Sequence, residues 1–303
     1  MSTVELADYQ YELGDVVFGT GTEVFVEGVS GIGTGDLRGR KFSLPAEDAQ
    51  VFGRENRDAK PIVFEGRVVR PGDPAGAFDM SAILEGVFDG EECRLEARTV
   101  VPLRLRRPGA DTRVVFGRPD DYDPDVRKSI IGLIPFTASF IPADPRWYSD
   151  TLEKVTLGLM PPSAGGLVTV AGGLPSPITT IAGTRRSTVI DNLGTTKTWP
   201  VITVTGPISE PGIGLADTDG GELWWLEFNG SIAAGQTVTF DTRPWSRGVF
   251  LGDGSPIGGR LSRRSRPKMS WVPPGQWELL VKGVDLTGTS HFQCAWRHAF
   301  KSI

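Results

Sequence analysis

Histidine and cysteine are nearly missing from this chain. It has two of each, His291, His298, Cys93 and Cys294, and they form neither a CxxC nor a Cys/His cluster. A metal centre of soft ligands needs several such residues at set spacings, so that class is excluded and no metal or other cofactor is expected. Two separate reduced thiols are the expected state in a reducing cytoplasm, with a single disulfide as the alternative. Catalytic signatures are absent as well: there is no GxSxG, P-loop or HExxH, and no GxGxxG that follows a strand and opens a helix. Positive charge is not in surplus. With 32 Lys+Arg against 37 Asp+Glu the chain carries −5, which argues against a general nucleic-acid binder, and no sequence-specific nucleic-acid partner is expected. Long apolar runs are lacking too. Stretches such as Ile130–Ile134 fall far short of the ~20 residues of a membrane span. The first residues carry Glu5, Asp8, Glu12 and Asp15, the reverse of a basic leader followed by an apolar core. A soluble product made without a signal peptide or membrane partner is expected.

What the chain has in quantity is turn residues. Thirty-nine glycines and twenty-three prolines, spread between short apolar runs, read as the turns of an all-β protein. Candidate strands are Val16–Phe18, Thr22–Val29, Pro61–Val69, Cys93–Val101, Arg113–Arg118, Ser129–Pro142, Ser187–Asn192, Trp199–Thr205, Glu222–Phe228, Thr237–Asp241, Gly248–Leu251, Trp277–Val281 and His291–Trp296. Their spacing suits sandwiches or barrels. One helix interrupts them. Asp73-Pro74 supplies an N-cap and a first-turn proline, Met80, Ile83, Leu84, Val87 and Phe88 form one apolar stripe, and Gly90 stops the helix. Near Trp147 the texture changes. The stretches Met160–Gly166 and Gly172–Pro177 are too rich in glycine and proline for sheet interiors and read as surface connections into a second domain. The expected fold class is therefore all-β with one helix, in two β domains, residues 1–148 and 149–303.

Few segments point to chemistry. Asp120, Asp121, Asp123 and Asp125 have the acidity of a calcium loop without the central glycine and terminal glutamate of an EF-hand, so a solvated turn is the expectation. His291 and His298 read as strand-end residues. In the run Leu223–Phe228, alternation puts Trp224, Leu226 and Phe228 on one face, the natural core side. Trp225 is left with Leu223 and Glu227 on the other. There it needs cover from a loop or the other sheet, or else serves a subunit contact or a sugar. Arg260, Arg263, Arg264, Arg266 and Lys268 put five cations into nine residues of a loop. That loop is either simply solvated or docks on an acidic surface of a neighbouring subunit. Trp225, Arg260, Arg263 and Arg264 are the candidate binding residues; no catalytic residue is assigned.

A series of motifs in fixed order adds a resemblance. Val17-Phe18-Gly19-Thr20-Gly21 leads to Val24–Val29, then Leu37-Arg38-Gly39-Arg40, Leu44-Pro45, Phe52-Gly53-Arg54-Glu55 and Ile62–Val68. Phe136–Tyr148 resembles the close of a first domain, Trp199–Pro207 a central strand of the second, and Trp271–Leu280 followed by Cys294–Phe300 a closing hairpin. Together they resemble the distal tail protein (Dit-like) family of long-tailed phages, a minor tail protein type found in phages of actinobacteria. The chain departs from it at Ala49-Gln50, where an Asp-Gly turn is common. The resemblance implies an N-terminal domain that closes into a homohexameric ring and a C-terminal galectin-like β-sandwich. It implies a tail-tip location after synthesis in the host cytoplasm. The implied partners are the tail tube protein, the tape measure protein and a tail-associated hub protein. Two rivals stand beside it: a carbohydrate- or receptor-binding tail protein using Trp225 or Trp245 on a host-surface glycan, and a hydrolase of cell-wall polymer, for which no catalytic constellation is visible.

Overall fold

The computed structural model describes residues 4–39, 41–43, 48–159 and 186–303. Arg40, Leu44-Pro45 and the expected connections Met160–Gly166 and Gly172–Pro177 lie outside the described residues. The chain divides into two compact units, Met1–Asp150 with Ala299–Ile303, and Thr151–His298.

In unit 1 the described strands are β1 (Gln10–Leu13), β2 (Val16–Gly19), β3 (Val24–Ser30), β4 (Leu37–Arg38), β5 (Lys41–Ser43), β6 (Gln50–Phe52), β7 (Asn56–Arg57) and β8 (Ile62–Val69). Helices α1 (Pro74–Asp89) and α2 (Glu91–Leu95) follow, then β9 (Val101–Arg106), β10 (Arg113–Pro124), β11 (Leu133–Pro142) and β12 (Trp147–Ser149). The main sheet runs β2-β1-β9-β10-β11-β8-β3, all neighbours antiparallel. Alternation explains it. Ile62, Phe64 and Val68 of β8 and Ile134, Phe136, Ala138 and Phe140 of β11 turn to one buried face. Helix α1 covers that face against β8, β10 and β11. Its start is fixed by Asp73, whose Oδ1 accepts from Gly76 N at 2.9 Å, and its end by Gly90 at φ 58°.

The buried stripe of α1 differs from the expected one. Ala77, Ser81, Leu84 and Phe88 are buried, with Met80 and Val87 at its flanks, while Ile83 is 50% exposed. The five expected residues span too wide an arc for a flat sheet to cover, and Ser81 is admitted because its hydroxyl bonds the Tyr122 hydroxyl at 2.9 Å. Phe88 joins an aromatic cluster of Tyr11, Phe18, Phe64, Tyr122 and Phe136 at centroid separations of 5.2–6.2 Å. Leu84 has no exposed surface. Leu84→Ala should therefore cost about 2–5 kcal/mol in denaturant unfolding; a loss below about 0.5 kcal/mol would show that the stripe is not core.

Two further expectations are corrected in this unit. Cys93–Val101 is not one strand: Gly90 turns the chain, Glu91 and Glu92 start α2, and β9 begins only at Val101. The acidic run is not a turn either. β10 continues through Asp120, Asp121 and Asp123 with a bulge after Pro119, and Asp125 caps a 3-10 turn over Val126–Ile131, so β11 starts at Leu133 rather than Ser129. The guanidinium of Arg127 grips both Asp125 oxygens, at 2.8 and 2.6 Å, and this with the Arg127 amide holds that carboxyl down to about 2.

In unit 2 the described strands are β13 (Glu153–Gly158), β14 (Arg186–Asn192), β15 (Val201–Thr205), β16 (Ile208–Ala216), β17 (Glu222–Glu227), β18 (Ser231–Ile232), β19 (Thr237–Asp241), β20 (Gly248–Leu251), β21 (Gly275–Val284) and β22 (His291–Trp296). They form two antiparallel sheets, β13-β22-β15-β19-β20 and β14-β21-β16-β17 with β18 on β16. Both sheets contribute to one core, with Ile202, Val204, Phe240 and Phe292 from the first and Ile213, Leu215, Leu279 and Val281 from the second. Trp224, Leu226 and Phe228 face this core, as the alternation predicts. The implied closing hairpin is not found: β21 and β22 lie in different sheets, so their connection crosses from one to the other. The last strand, β23 (Ala299–Phe300), returns to unit 1 and pairs with β12, placing the Arg113 guanidinium 3.5 Å from the Phe300 ring centroid. Cys93 and Cys294 are both free and buried, and burial pushes the Cys294 thiol up to about 12.

Candidate assembly surfaces

Several well-exposed apolar residues of unit 1 lie on an arm between β3 and β8. Its base is held by main-chain and ionic contacts: Asp58 N donates to Asp36 O at 2.9 Å, Arg57 Nη1 to Gly35 O at 3.2 Å, and Lys60 pairs with Asp36 at 3.2 Å. Glycine is needed there, since a Cβ on Gly35 would lie 1.6 Å from Asp58 O. Among the described residues, β4 pairs only with β7 and β5 only with β6. In the β5–β6 ladder Phe42 opposes Val51 and Lys41 opposes Phe52, so both faces carry apolar groups. Phe42 is 56% exposed, Val51 49% and Phe52 61%. A two-stranded ladder with exposed apolar groups on both faces is marginal alone, and Lys41 Nζ, 5.8 Å from the Phe52 ring centroid, is the cation over one of them. Sequence reasoning missed these strands. The 3-10 turn adds exposed Val126, Ile130 and Ile131.

In unit 2 the Trp225 ring lies against its own sheet. A Cβ on Gly214, the residue opposite it, would come within 1.9 Å of Trp225 Cε3, and one on Gly212 within 3.0 Å of the same ring. Lys282 Nζ stands 5.1 Å from the ring centroid and pairs with Glu227 at 2.5 Å. Trp245 is half-buried beside Arg243, 5.8 Å from its ring centroid.

The basic segment is an exposed loop with a fixed backbone. Ser262 N donates to Glu227 O at 2.9 Å, Glu227 N to Ser265 Oγ at 2.8 Å and Asn229 N to Arg260 O at 2.7 Å. Two short 3-10 turns, Gly258–Arg260 and Pro267–Met269, stiffen its ends. Arg260, Arg263, Arg264, Arg266 and Lys268 are all exposed. The structure places Trp225 on the outer face of the sheet and the arginines along the edge beyond β17.

The two histidines lie apart from any nucleophile–carboxylate arrangement among the described residues. His291 is exposed at the start of β22, while His298 Nδ1 accepts from Leu193 N at 3.2 Å and its Nε2 is 3.9 Å from Glu153. No group of three or more metal-ligating residues occurs among the described residues, and no helix there is long and apolar enough to cross a membrane.

Neither a protein-family profile nor a curated protein matches the sequence. Solved structures do match the fold. The SPP1 Dit protein, described as a paradigm of the hub adsorption apparatus of phages infecting Gram-positive hosts, aligns over 90% of this chain and 93% of its own, with 17% identity and a TM-score of 0.53. Chains of the phage P2 baseplate in its activated conformation, with Ca or Sr, align over 94% of this chain and 97% of their own, at 12% and 13% identity and a TM-score of 0.54. Over the 90–94% of the chain that they cover, these matches show a Dit-like fold.

Proposed function

We propose that this chain is a structural component of a bacteriophage tail tip, an adaptor that joins the tail tube to the tip and host-recognition apparatus. Unit 1 closes with copies of itself into a six-fold ring, and the sandwich of unit 2, galectin-like in this reading, projects from it. The tail tube protein, tape measure protein and a tail-associated hub protein are its neighbours, and its role is structural rather than catalytic. The observation that carries the reading is the exposed apolar arm of unit 1 in a chain that follows a Dit-like fold over 90% of its length. A closed cyclic assembly needs a contact in which one patch meets a different patch on the next copy, and a projecting arm supplies one half of such a contact. The glycan reading gains no support from Trp225, whose ring lies against Gly212 and Gly214 with Lys282 over it. The test is a reconstruction of the tail tip from intact virions. Six copies in a collar around the channel are expected; three copies, a single copy or a place on a side fibre would sink the reading.

A further inference from the structure

Two clusters of opposite sign are left unused by the fold. The first is the loop carrying Arg260, Arg263, Arg264, Arg266 and Lys268. No acidic residue occurs between Asp253 and Glu278, so nothing within the segment offsets these five charges. Glu227, against whose main chain the loop is pinned, has its carboxylate taken by Lys282. None of the five cations has an ion-pair partner among the described residues. Holding like charges together on a fixed backbone costs self-repulsion, and a complementary partner offsets it.

The second cluster is the acidic half of β10. Pairing with β9 ends at Gly117, so from Arg118 to Pro124 the strand is paired through β11 alone. Tyr122 turns inward to stack on Phe88, which sends Asp121 and Asp123 to the opposite face. Asp120, Asp121 and Asp123 are exposed, and none has a cationic partner among the described residues. Asp120 is met only by the Ser139 hydroxyl, at 3.2 Å.

We propose that in the assembled protein the loop 260–268 of one copy docks on the Asp120–Asp123 stretch of β10 in a second copy. The two clusters match in sign, and both are held on fixed backbone. Four of the five cations are arginines, whose forked guanidinium suits carboxylate oxygens. The rest of the chain favours this partner over a long anionic polymer. The whole carries −5 and the loop +5, so everything outside the loop sums to −10, which repels an extended polyanion. The inference rests on self-assembly, as the tail-tip reading does, but makes a separate claim.

The experiment follows self-association of the full chain by sedimentation in about 50 mM and about 500 mM salt, which brackets strong and weak screening. Wild type is expected to associate at low salt and to lose at least about tenfold in affinity at high salt. R263E/R264E and D121R/D123R should each show that loss at low salt, with thermal unfolding unchanged. Mixing the two variants should restore association, because each supplies the reversed partner of the other; restoration rules out misfolding as the cause. Three results would overturn the proposal: a monomeric wild type at both salts, R263E/R264E associating as wild type does, or tight heparin binding by the loop without salt-sensitive self-association. If virions place the chain at the tip while R263E/R264E still associates normally, the contact falls and the tail-tip reading stands. Salt-sensitive association by a chain absent from the tip has the opposite meaning.

Discussion

Replacing Arg104 with methionine should destabilise unit 1 by about 3–5 kcal/mol, one of the largest single-residue effects expected in the molecule. Arg104 sits on β9 directly opposite Glu12 of β1, and both are nearly inaccessible, at 6% and 3% exposure. Its guanidinium donates to Glu12, to Val4 O at 3.0 Å, and to both oxygens of Asp150 at 2.9 and 2.6 Å. One side chain thus ties the start of the chain, the sheet and the end of unit 1's first segment. Methionine fills much of the same space but leaves the Glu12 carboxylate buried without its cation. The penalty comes from that stranded charge more than from the lost pair. Replacing Arg104 and Glu12 together by methionine should therefore cost clearly less than Arg104→Met alone. Denaturant unfolding of the three variants checks this. A single-variant loss below about 1 kcal/mol, or a double variant no better than the single, would refute the account.

A double substitution on the arm should have the largest effect on assembly. Phe42→Asp with Phe52→Asp puts a carboxylate on each face of the β5–β6 ladder. Because both positions are more than half exposed, thermal unfolding should barely move. If the arm inserts against a neighbouring copy, each aromatic behaves as an interface anchor worth about 2 kcal/mol or more, roughly thirtyfold in affinity per residue. Virions grown with only the variant should lack it, and tails should fail to mature. Incorporation at wild-type level would show that the arm is not an interface.

Much of this architecture is legible in the residues, and the failures have physical causes. Thr237–Asp241, Gly248–Leu251 and His291–Trp296 are found as strands with the expected bounds, because the first and last alternate and the second is a short apolar run between turn residues. Strand β16 was hidden by Pro211, Gly212 and Gly214, which read as a turn. In the sheet, Pro211 falls in an irregularity next to Glu210, whose φ is 50°, and the two glycines clear the space that the Trp225 ring fills. The arm was hidden for the opposite reason. Its strands are two or three residues long, and its apolar groups face outward, so no period marks them. Of the candidate residues, the basic loop could be read from charge density alone, whereas the surroundings of Trp225 depend on glycines from another strand.

The return of β23 to unit 1 also sets an order of events during synthesis. The ribosome delivers Ala299–Phe300 only after the whole of unit 2 has been made, so β12, which pairs with β10 on one side, waits until then for its second neighbour. Closing that pairing across an unfolded insert of about 150 residues would carry a large chain entropy. In folded unit 2, however, Glu153 and Trp296 are opposed in adjacent strands, which brings the two ends of the insert together. Shrinking the effective loop from about 150 residues to about 10 lowers the closure cost by about 2–3 kcal/mol. Folding of unit 2 ahead of this pairing would therefore make unit 1 easier to complete. Nascent chains cut off inside the insert would leave the β23-facing edge of β12 open, a strand edge of the kind that chaperones and proteases recognise in unfinished subunits.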